Sequence, residues 1–104
     1  MESNRYHVSI APLADRKLAA HIEFLARVSE QAATRVYTAY EGVLGFLMDS
    51  PKSCPLYIPK KPMDTELRYK LFFDRYRIVF EIIDNAVYAY DIQDCRQGVD
   101  NYLV

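Results

Sequence analysis

The chain has no tryptophan, only two cysteines and no long apolar run, and nothing at its N-terminus resembles a leader. A membrane-spanning helix needs roughly 18 or more consecutive apolar residues, and no stretch approaches that length. The opening MESNRYHVSI has no basic segment followed by an apolar one, which predicts an unexported, cytoplasmic protein without a membrane attachment. Cys54 and Cys95 lie far apart, with no further Cys or His at a metal-ligand spacing. That pattern predicts reduced thiols, not a disulfide framework or a zinc site. There is no phosphate-binding loop, dinucleotide fingerprint or metal cluster, so the sequence implies no cofactor.

What is present suits one folded domain spanning residues 1–104. The composition is 51% hydrophobic and 26% charged, and domains run from about 50 to 250 residues. Nine Tyr and five Phe tilt the aromatic content toward phenol rings, which pack while still presenting a hydroxyl to a wet surface. The net charge of −1 hides an uneven distribution. Lys52, Lys60, Lys61, Arg68, Lys70, Arg75 and Arg77 stand against Asp64, Glu66 and Asp74, whereas beyond Arg77 only Arg96 answers Glu81, Asp84, Asp91, Asp94 and Asp100. A polyanion would therefore meet a local basic patch and not a uniformly basic protein.

Alternation of Tyr6, Val8 and Ile10 with His7 and Ser9 predicts a first strand over Arg5 to Ile10. From Leu13 the period becomes helical, with Leu18, Ile22 and Leu25 on one side, and a helix runs to about Val28. Ser29 has the character of an N-cap for a second helix, whose stripe of Ala32, Val36, Ala39, Tyr40, Val43, Leu44 and Leu47 ends at Asp49-Ser50-Pro51. Pro51, Pro55, Pro59 and Pro62 then mark an extended loop to about Asp64. Strands follow over Leu67 to Phe73, Tyr76 to Ile83 and Ala86 to Ile92, with turns at Asp74-Arg75 and Asp84-Asn85. A short helix or a last turn fits Gln97 to Leu103. The order β-α-α-β-β-β predicts an α+β protein, a helical hairpin packed on a mostly antiparallel four-stranded sheet.

If both turns are tight, Arg68 lies opposite Glu81, Lys70 opposite Val79 and Phe72 opposite Arg77, while Glu81 meets Tyr88, Val79 meets Tyr90 and Arg77 meets Ile92. One face then carries Leu67, Tyr69, Leu71, Phe73, Ile78, Phe80, Ile82, Val87 and Ala89 and packs on the helices. The other carries Arg68, Lys70, Arg77, Glu81, Tyr88 and Tyr90, with Arg96 and Tyr102 reachable from beyond the last strand. Such a face suits phosphate contact with base stacking. Cross-strand pairing alone, with Arg68 against Glu81 as a surface ion pair worth about 0–1 kcal/mol, explains the same residues.

The segment ELRYKLFFDRYRIVFEIIDNAVYAYDIQDCRQ resembles the carboxy-terminal strands of RelE/ParE toxins of type II toxin–antitoxin systems. There a basic strand leads into a YRIVFEI-like strand, and an Arg follows the last strand. YHVSIAPLADRKLAAHIEFL and SEQAATRV resemble the first strand and helical hairpin of the same superfamily, so the likeness covers nearly the whole chain apart from the proline loop.

The resemblance implies a RelE-like two-layer fold and a cognate antitoxin as partner. For RelE-like members it implies metal-independent cleavage of messenger RNA on the ribosome, by attack of a ribose 2′-hydroxyl on the adjacent phosphate. Arg68 and Lys70 then match the basic pair on the strand, Arg77 the Arg of the YR motif, Arg96 the basic residue after the last strand and Tyr102 the terminal Tyr. The first basic position is Arg where a proton-moving Lys is expected. The helical hairpin looks more like the ParE branch, whose members are not nucleases and inhibit DNA gyrase. An Arg-rich face serves protein contact equally well. A degenerate member that only binds its antitoxin is the third reading.

Other residues invite a role but have simpler accounts. His7 falls in the first strand and His21 on a helix, both away from the expected basic face. Glu81 reads as a charge partner of Arg68, and Cys95 as a small apolar residue instead of a nucleophile.

Overall fold

A computed structural model describes residues 5–104. Strand β1 is His7–Ile10, helix α1 Pro12–Ala26 and helix α2 Glu30–Asp49. Pro12 sits in the first turn of α1, where its missing N–H is not needed. Residues 27 and 28 turn the chain, with Val28 and Ser29 donating to Leu25 O at 3.0 and 2.8 Å, so α1 stops just short of the expected Val28. The expected cap at Ser29 forms: its hydroxyl accepts from Ala32 N at 3.1 Å. α2 buries Ala33, Val36, Tyr40, Val43 and Leu47, a three-four spacing, and ends before Pro51 as its sequence requires.

Among the described residues the sheet has five strands, not four, and is mixed. Strand β2 is Leu56–Tyr57, β3 Leu67–Phe72, β4 Tyr76–Ile83 and β5 Ala86–Asp94, in the spatial order β1-β5-β4-β3-β2. β1 runs parallel to β5, and every other pair is antiparallel. The added strand lies inside the proline segment. Two residues between Pro55 and Pro59 are too few to show a period, and an edge position is where flanking prolines are tolerated.

The first hairpin departs from the expected register. Its loop is Phe73-Asp74-Arg75, not Asp74-Arg75, with Phe73 and Asp74 in the left-handed region at φ 55° and 50°. Phe72 pairs with Tyr76, and Arg68, Lys70 and Leu71 face Phe80, Ile78 and Arg77. One residue of slip moves the whole of β3 to the other side of the sheet. Core packing favours this register: the Phe72 ring stacks on Tyr76 at 5.6 Å and lies 6.0 Å from Tyr40 of α2.

At the second hairpin Ile83 pairs with Ala86 and Glu81 with Tyr88, as expected, with Asp84 in the left-handed region at φ 53°. A β-bulge then shifts the pairing, so Val79 meets Asp91 and Arg77 meets Gln93, in place of the expected Tyr90 and Ile92.

The helices cover one face of the sheet. Ala14, Leu18, Val36, Tyr40, Val43 and Leu47 pack against Phe72, Tyr76, Ile78, Phe80, Val87, Ala89 and Ile92. The opposite face is not the open surface the sequence predicts. Tyr57, Leu67 and Val79 form a second buried cluster there, flanked by Tyr69, Tyr90 and Val104, with the C-terminal segment laid across it. A 3-10 turn at Val99–Asn101 leads into that segment. Among the described residues no helix is long and apolar enough to cross a membrane. Cys54 and Cys95 are both free thiols.

Candidate functional site

The β3 register decides where the basic residues stand. Arg68 and Lys70 point to the helical side, next to their partners Phe80 and Ile78, while Arg77 stays on the far face with Val79 and Tyr69. Lys70 Nζ sits 4.4 Å from the centroid of Phe46 on α2. Arg68 Nη1 donates to Cys54 O at 2.6 Å, and its Nη2 lies 3.3 Å from Glu66 Oε1. The expected Arg68 and Glu81 pair does not form. Glu81 accepts from the hydroxyls of Tyr90, at 2.5 Å, and Thr65, and the Glu81 carboxylate beside Tyr90 pushes that phenol up to about 12.

Arg77 is held by three rings and an amide. Its guanidinium carbon is 5.1 Å from the Tyr57 centroid, 5.6 Å from Tyr69 and 5.4 Å from Tyr102, and Nε donates to Gln93 Oε1 at 2.6 Å. Cation–π contacts and a fixed hydrogen bond hold the fork in one orientation. Arg77 and Tyr102 are the two proposed site residues brought into contact. Arg96 stands elsewhere, in a recess of about 540 Å³ between α1 and the end of β5.

That recess has its own electrostatics. α1 contributes Lys17, His21 and Phe24, and the strand ends contribute Arg75, Tyr76 and Asp94. Arg75 donates to the Asp94 carboxylate through Nε at 3.2 Å and Nη2 at 2.9 Å, and Arg96 N donates to Asp94 Oδ1 at 3.0 Å. Burial pushes the Asp94 carboxyl up, but the hydrogen bonds from Arg75 and Arg96 outweigh it and hold the group below the usual carboxylate range. The His21 ring is tilted against Tyr76 at 5.3 Å, and Nε2 lies 3.1 Å from Ile92 O. Burial depresses the imidazole below its ordinary value, more than that backbone contact and Asp94 raise it.

The most buried polar residues are ones the sequence reading passed over. Asp91 and Gln93 have no solvent exposure. Gln93 Nε2 donates to Asp91 Oδ2 at 2.9 Å and to Tyr57 Oη at 3.0 Å. Asp91 also accepts from Lys17 Nζ at 2.5 Å and Leu103 N at 2.7 Å. This network joins α1, β5, β2 and the C-terminal segment beneath Arg77. The only sequence signal is three polar residues, Asp91, Gln93 and Asp94, around one core residue, Ile92.

Compared with known proteins, the chain matches no family model and no curated protein sequence.

Proposed function

We propose that this protein is the toxin half of a type II toxin–antitoxin pair, similar to the RelE/ParE superfamily, and that it acts by binding a protein target instead of cutting RNA. Support for the toxin reading is the resemblance of the motif order, from YHVSIAPLADRKL to YAYDIQDCRQ, laid on an α+β fold with a helical hairpin against one sheet. The observation that carries the binding mechanism is the dispersal of the basic set. Arg68 and Lys70 lie on the helical side of β3, Arg77 and Tyr102 lie on the opposite face, and Arg96 lines a separate recess.

Attack of a 2′-hydroxyl on a phosphate needs a proton acceptor and charge-stabilising donors within hydrogen-bond reach of one phosphate. Groups split by the sheet backbone do not provide that. A protein surface makes no such demand, and DNA gyrase is the target the ParE-like resemblance supplies. The cognate antitoxin is then the partner that keeps the protein inactive. The contact of Tyr102 with Arg77 favours one second reading, a ribonuclease in which that pair works without the β3 cations.

Induction of the chain in a bacterial host, with messenger-RNA 5′ ends mapped within minutes, separates the two. Growth arrest with intact messages is expected. In-frame cuts that vanish in Arg77→Ala would establish the ribonuclease, and a harmless, folded product would remove the toxin reading altogether.

A further inference from the structure

The recess between α1 and the end of β5 holds Arg96 apart from the other residues named by the resemblance, and its charges do not balance. Lys17 is neutralised by Asp91 at 2.5 Å and Arg75 by Asp94 at 2.9 Å. The guanidinium of Arg96 has no hydrogen-bonding or ionic partner among the described residues, its main-chain N–H alone being engaged, with Asp94. A planar, uncompensated guanidinium is the group that receives a carboxylate or a phosphate through two parallel hydrogen bonds.

On the same concavity Phe24 keeps 59% of its surface exposed. It stands three residues after His21 and seven after Lys17, so all three share one face of α1, distinct from the stripe of Leu18, Ile22 and Leu25 that packs in the core. His21 adds a directional acceptor. Its Nε2 faces a carbonyl oxygen and must carry the proton, which leaves Nδ1 with a lone pair. Among the described residues no buried side-chain nitrogen lacks a partner, so Nδ1 reaches solvent, and His21 is one of the residues lining the recess.

We infer that this recess binds a small planar-ring anion, with its carboxylate or phosphate on Arg96, its ring against Phe24 and a ring-borne donor on His21 Nδ1. The volume of about 540 Å³ suits one such molecule. A bare anion is disfavoured, because it leaves Phe24 uncovered and meets the Asp94 carboxylate with only one free cation among the described residues to offset it.

The test is titration calorimetry of the full chain with 4-hydroxybenzoate and with uridine 5′-monophosphate, beside acetate and inorganic phosphate as ring-free anions. Saturable one-to-one binding of at least one ring anion is expected, and which of the two binds distinguishes a free aryl carboxylate from a nucleotide as the source. Removal of a charge-assisted pair weakens binding about tenfold or more, the loss expected for Arg96→Ala. Phe24→Ala should weaken the ring anion several-fold, whereas Arg35→Ala on α2, the same charge change away from the recess, should leave it unmoved. Far-ultraviolet circular dichroism checks that each variant keeps the fold. No saturable binding of either ring anion, equal affinity for acetate or phosphate, or an unchanged affinity in Arg96→Ala would each overturn the assignment.

Discussion

Lys17 Nζ stands 2.5 Å from Oδ1 of Asp91, a carboxylate with no solvent exposure, and that contact ties α1 to the strand beneath the C-terminal segment. The remaining oxygen of Asp91 accepts from Gln93 and from Leu103 N, so the carboxylate is fully engaged only while both the helix and the segment are in place. Removing one partner of a buried pair leaves an uncompensated charge and costs about 3–5 kcal/mol. Lys17→Met should therefore lower the urea unfolding free energy by roughly 3 kcal/mol. A loss below about 1 kcal/mol, the range of exposed pairs, would show that water reaches Asp91.

The three-ring environment of Arg77 predicts that charge alone does not satisfy the position. Lysine keeps the charge but loses the planar contacts with Tyr57, Tyr69 and Tyr102 and the Nε hydrogen bond to Gln93. Arg77→Lys should cost on the order of 1–2 kcal/mol in an unfolding titration. An unchanged midpoint would mean the guanidinium is not held as described.

Ser29 caps α2 through Ala32 N. Ser29→Ala should destabilise the protein by about 1 kcal/mol, and Ser29→Asp should retain most of the stability. Thermal unfolding of the two variants checks the order.

Acidification should weaken the fold in two windows. Burial lowers the His21 pKa in the folded state below its ordinary value of 6.5, so folding favours the neutral ring. The contribution is fully present above pH 6.5 and is lost as pH falls through the folded value. Asp94, held below its ordinary value of 3.8, contributes above that pH and loses its contribution as pH falls through its own lower folded value. Unfolding titrations of the wild type and of His21→Gln between about pH 7 and 5 should show a downward slope in the first that is flattened in the second.

Much of the fold is legible in the sequence because it rests on local signals. The cap at Ser29, the stripe from Val36 to Leu47, the stop before Pro51 and the turn at Asp84-Asn85 each act within a few residues, and each appears as expected. What was not legible depends on tertiary competition. Phe73 and Phe72 are chemically alike, so the pattern cannot tell which one enters the core; the packing of Phe72 on Tyr40 and Tyr76 decides, and it carries Arg68 and Lys70 away from Arg77. The bulge at Tyr90 leaves no local mark, yet it turns Asp91 and Gln93 into a buried network. The residues expected on one surface are therefore divided between the two sides of the sheet and the recess beside α1.

Whether the protein works by binding is decided most directly by supercoiling of relaxed plasmid with purified gyrase, titrated with the purified chain while a translated message is followed in parallel. Loss of supercoiling with the message left intact is the predicted result. Full supercoiling at excess protein, together with cleavage of the message on the ribosome, would contradict it.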